Sequence, residues 1–82
     1  MPVCSYLVYP MDNHVDTLMQ KFSLKSECDA TLSEDQKMIV LVTESDSKEH
    51  EEVLQKELKS IKEIECMVLS FGQVVEEENS HV

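Results

Sequence analysis

Two strings in this chain are apolar at nearly every position: residues 3–9 (VCSYLVY) and residues 37–43 (KMIVLVT). A strand with one face in water alternates polar and apolar side chains. A short β-branched string without that alternation therefore belongs in the middle of a sheet, covered on both faces. Pro10 closes the first string. A chain of 82 residues supports one core, so both strands have to lie in the same sheet.

The intervening segments supply the cover. From Asp12 onward Val15, Leu18, Met19 and Phe22 recur at three and four residues, with Asp16, Gln20 and Lys21 opposite. That period predicts an amphipathic helix, capped by Asp12 or Asn13 and ending between residues 23 and 26. Residues 27–33 (ECDATLS) alternate, with Cys28, Ala30 and Leu32 on one side, as a sheet edge requires. Glu34-Asp35-Gln36 is the hairpin connection to the second apolar strand. Ser45, Asp46 and Ser47 offer caps for a second helix, and Asp46 with Glu49 has capping-box spacing. That helix should turn Val53, Leu54, Leu58 and Ile61 inward and hold a solvated Glu-rich face with Lys48/Glu52 and Glu52/Lys56 pairs. Residues 65–75 (ECMVLSFGQVV) read as a last strand, and residues 76–82 as an acidic tail on a single domain of residues 1–75.

The order βαββαβ, with right-handed crossovers, predicts an α+β, ferredoxin-like fold: a four-stranded antiparallel sheet of order 4-1-3-2 with both helices on one face. The opposite face is then bare. Grouping the bulkier residues of each strand puts Cys4/Tyr6/Val8, Cys28/Ala30/Leu32, Met38/Val40/Val42 and Met67/Leu69/Phe71 under the helices. The open face would take Val3, Ser5, Leu7 and Tyr9, Ile39, Leu41 and Thr43, Asp29 and Thr31, and Val68, Ser70 and Gly72. An aliphatic stripe beside small residues suits an apolar peptide helix, or a second copy laid back to back.

Composition limits the partner. There are 7 lysines, no arginine and 17 acidic residues, for a net charge of −10. Such a chain repels phosphodiester backbones and lacks the guanidinium fork for phosphate, so nucleic acid is excluded and a basic partner is expected. The apolar start has no basic leader and is stopped by Pro10, which predicts a cytoplasmic protein without membrane insertion. Cys4, Cys28 and Cys66 have the wide spacing of free thiols, and His14, His50 and His81 have no ligand at metal spacing. With a single glycine there is no phosphate-cradling loop. No cofactor and no enzymatic activity are expected.

The chain resembles the NapD family, small cytoplasmic chaperones of periplasmic nitrate reductase. The resemblance lies in Val3-Cys4-Ser5-Tyr6-Leu7-Val8, the Cys28-containing strand, Met38-Ile39-Val40-Leu41-Val42, and the segment from Ile64 to Val75 that runs into a Glu-rich tail. Glu27 stands where the family usually has Gly, the Gly common in the following turn is missing, and Phe71-Gly72-Gln73 departs from the family's ending. The resemblance implies binding of the twin-arginine signal peptide of the nitrate reductase catalytic precursor, which delays export until the molybdenum cofactor is inserted. The peptide would lie on the open face against Ser5, Leu7, Ile39 and Leu41, with Val3, Val68, Ser70 and Gly72 beside them, on a monomer or weak homodimer. The competing readings are a small ligand-binding regulatory domain of the ACT type and a homodimerisation module.

Overall fold

The computed structural model describes residues 1–74, so the acidic tail expected at residues 76–82 lies outside the described residues. The chain runs β1 (Pro2–Pro10), α1 (Val15–Ser23), β2 (Cys28–Leu32), β3 (Ile39–Glu44), α2 (Lys48–Lys59) and β4 (Ile64–Val74). All strand pairs are antiparallel, in the order β2-β3-β1-β4. This is the ferredoxin-like α+β arrangement, with the two apolar strings at the centre.

The core lies between one face of the sheet and the two helices. Tyr6 and Val8 of β1 and Ile39 and Leu41 of β3 pack with Leu18 and Phe22 of α1 and Leu54 and Leu58 of α2. Each is at most 2 % exposed. Burying a side chain of this size contributes about 1.5–3 kcal/mol, so these positions hold the fold together.

Strand faces follow from register, because residues directly opposite one another share a face. Cys4, Tyr6 and Val8 stand opposite Thr43, Leu41 and Ile39, which places all six toward the helices. This reverses the sequence expectation for β3: Ile39 and Leu41 are fully buried, and Val40 and Val42 take the open face. Both sets of this strand are aliphatic, so side-chain bulk does not choose between them. Glu44 does, because it shares a face with Val40 and Val42 and would be an unpaired buried charge under the helices. Thr43 is buried at no cost, since its hydroxyl donates to the carboxylate of Glu51 at 2.8 Å.

A bulge settles β4. Ser5 stands opposite Phe71 and Tyr6 opposite Leu69, which leaves Ser70 without a partner residue. The extra residue switches the alternation. Met67 and Leu69 keep the helix side as expected, whereas Phe71 moves to the open face and Gly72 to the helix side opposite Cys4. A Cβ at Gly72 would lie 3.6 Å from the Cys4 Sγ.

The start of α1 differs from expectation, whereas α2 is capped by one of the three residues offered for it. At α1 the N-cap is His14, which makes no side-chain cap, and Asn13 makes the turn with a φ of 66°. Asparagine accepts that left-handed backbone more readily than most residues. At α2 the cap is Ser47, whose hydroxyl accepts from the His50 amide at 3.0 Å, three residues on. The inward positions of α2 are Glu51, Leu54 and Leu58, with Ile61 partly buried beyond its end, and Val53 points outward at 57 % exposure.

Candidate functional site

Among the described residues no helix covers the second face of the sheet. Its centre is Leu7 on β1, flanked by Val40 and Val42 on β3 and by Val68 and Phe71 on β4. Val42, Val68 and Phe71 are 38, 47 and 54 % exposed, and Tyr9 extends the apolar surface along β1. A contiguous apolar patch on a small domain marks a binding surface more often than scattered exposed residues do.

The expected site residues divide accordingly. Val3, Ser5, Leu7 and Val68 lie on the open face. Ser70 is exposed at the bulge, where its hydroxyl donates to the Ser5 carbonyl at 2.8 Å and ties β4 to β1. Ile39, Leu41 and Gly72 do not belong to this face; the first two are core residues, and the bulge carries the third away. Val40, Val42 and Phe71 occupy the positions that sequence reasoning gave to them. The signals that would have found the first two are Glu44 and strand parity. Nothing in the sequence announces the bulge.

The charge on this face has one sign. The four strands contain Asp29, Glu44 and Glu65 and no lysine. At the β2–β3 end of the open face, a depression of about 270 Å³ is lined by Val3, Glu27, Asp29, Val42 and Glu44, among others. Its Glu27 carboxylate is held below the usual carboxylate range by its own backbone amide and by His50, whose Nε2 lies 3.0 Å away. His50 Nδ1 accepts from the Asp46 amide at 3.3 Å, which leaves Nε2 as the donor to Glu27. At neutral pH the depression is a negatively charged corner beside an apolar stripe.

The helix side holds a second polar cluster. The Glu51 carboxylate accepts from Tyr6 at 2.7 Å, from Thr43 at 2.8 Å and from Ser45, and Gln55 donates to the Tyr6 hydroxyl at 2.8 Å. Burial pushes Glu51 up, but the hydroxyl donors together outweigh it and hold its pKa low. Burial, aided by the Glu51 hydrogen bond, raises the Tyr6 hydroxyl. The carboxylate oxygens are committed to hydroxyl groups, so this cluster joins α2 to the sheet and offers a substrate no free base.

No disulfide joins the three cysteines: Cys4 is buried, Cys28 half-buried and Cys66 exposed. Burial pushes Cys28 up to about 11, so it is a neutral packing group at physiological pH. Among the described residues no group of three or more His, Cys, Asp or Glu could hold a metal ion, and no helix is long and apolar enough to cross a membrane. No family model, no curated protein and no solved structure matches this chain.

Proposed function

We propose that this chain is a cytoplasmic chaperone of the NapD type, binding the twin-arginine signal peptide of a periplasmic nitrate reductase precursor on the open face of its sheet. The observation that carries this reading is the uncovered stripe of Leu7, Val40, Val42, Val68 and Phe71 beside the carboxylates of Glu27, Asp29 and Glu44. A twin-arginine signal peptide has a basic start followed by a moderately apolar run. The apolar run lies as a helix across the stripe, and the basic start reaches the acidic corner at the β2–β3 end. The whole-molecule charge of −10 adds attraction at a distance.

Binding holds the precursor back from export while its molybdenum cofactor is inserted, and the chaperone itself performs no chemistry. Calorimetric titration with a synthetic twin-arginine signal peptide at two salt concentrations tests the reading. Saturable binding is expected, weakening by about threefold or more from low to physiological salt, because rim charges in water are screened within roughly 10 Å. No binding at low salt contradicts the proposal. Affinity indifferent to salt contradicts the placement of the basic end at the acidic corner.

A further inference from the structure

The two edges of the sheet are built differently. The β2 edge has five residues and carries Asp29 and Thr31, the usual protection of an exposed strand. The β4 edge has eleven residues and pairs only with β1 among the described residues. Residues 66–75 contain no charge in a chain that is 29 % charged. The only longer uncharged run, residues 1–11, covers β1, which is paired on both sides. On β4 both faces are apolar and open: Val68 and Phe71 on the bare side, and Leu69, 53 % exposed, on the helix side. An edge strand with the composition of a central strand is one that acquires a second neighbour.

We propose that β4 pairs with β4 of a second copy of this chain, antiparallel about a two-fold axis between Leu69 and Ser70. Charge selects the occupant. A basic partner gains nothing electrostatically from a neutral edge, whereas a second copy carries the same −10 and can approach closely only along a strip without charge. Parity selects the register. About that axis Val68 meets Phe71 of the second copy, both on the open face, and Met67 meets Gly72, both on the helix side. The Ser70 bulge makes this register consistent, since an unbroken alternation would set opposite faces against each other. The contact is isologous and closes as a dimer. It leaves Leu7, Val40 and Val42 uncovered, so it does not depend on the peptide reading.

Sedimentation equilibrium from about 10 µM to about 1 mM tests the pairing, a range that captures association of ordinary strength. The expected result is a reversible rise from 9.4 kDa toward twice that mass. Leu69→Glu and Leu69→Lys, placed beside the axis, should each weaken the dimer at least tenfold while circular dichroism shows the folded chain. Mixing the two variants should restore dimer, an outcome that misfolding cannot produce. In the Cys66→Ser background, Val68→Cys with Phe71→Cys should cross-link between copies on oxidation. A monomer at every concentration overturns the proposal, as does a dimer indifferent to both Leu69 variants. Protection of β4 amides that appears only when peptide is added to a monomer assigns the edge to an extended partner and overturns it equally.

Discussion

Leu41→Glu should unfold this protein, and Val40→Glu, one residue earlier, should leave it folded and, on the proposed reading, unable to hold a signal peptide. Leu41 is fully buried in the core against the helices. The substitution removes roughly 2 kcal/mol of apolar burial and places a carboxylate where nothing pairs with it, which costs several kcal/mol more. A domain of this length has a total stability of about 4–12 kcal/mol at the usual 0.05–0.15 kcal/mol per residue. The two costs together consume most or all of it. Val40 lies on the open face beside Leu7, its register partner across β1 and β3. A carboxylate there stays in water, so the melting temperature should move by only a few degrees, while the apolar stripe is interrupted at its centre. Thermal melts by circular dichroism and peptide titration of both variants check this, with peptide affinity expected to fall at least tenfold in Val40→Glu. A folded Leu41→Glu protein beside an unfolded Val40→Glu protein would reverse the face assignment of β3.

Glu51→Leu should be nearly as damaging, although it replaces a charge with an apolar group inside a core. The carboxylate accepts from Tyr6, Thr43 and Ser45, and Thr43 and Ser45 are almost fully buried. Removing the shared acceptor strands three hydroxyl donors at about 1–3 kcal/mol each. A loss of about 3–9 kcal/mol by urea denaturation is expected. Glu51→Gln retains an acceptor oxygen and should lose about half as much.

Both substitutions also change the pH dependence of stability, because neither side chain titrates. Because the native pKa of Glu51 is held below its unfolded value, the native state binds fewer protons than the unfolded state as acid is added. The stabilisation from this group is complete above the unfolded pKa of about 4.3 and disappears as pH falls through the lower native value. Glu51→Gln should therefore flatten the acid limb of the stability curve without abolishing it, since Glu27, Asp35 and Glu63 have lowered values too. An unchanged acid limb would mean that Glu51 has the same pKa in the native and unfolded states.

Element order, strand order and the bare face were all legible because the two apolar strings and the 3.6-residue periods on either side of the β2–β3 hairpin leave little choice. The faces of β1 and β2 were legible as well: Tyr9 and Asp29 are poor residues for the helix side. On β3 both sets are aliphatic, so bulk does not separate them, and the residue that decides the parity is Glu44, one position beyond Thr43. On β4 a single unpaired residue, Ser70, exchanges Phe71 and Gly72, and a bulge of this kind depends on the partner strand. Glu51 is not legible as a core residue, because a glutamate in a Glu-rich helix reads as solvated. Yet Glu51, Leu54 and Leu58 follow the helical period, and Thr43 and Ser45 upstream supply the hydroxyls that make a buried carboxylate tolerable. Val53 is apolar but lies off that period and faces water.

Amide chemical-shift mapping during titration with the twin-arginine signal peptide tests the central claim most directly. Saturable shifts are expected, concentrated at Ser5, Leu7, Val40, Val42, Val68 and Phe71, with a second group at Asp29 and Glu44, and little change along α1 and α2. Shifts confined to the helices, or no saturable shift at low salt, would contradict the assignment of the open sheet face as the peptide-binding surface.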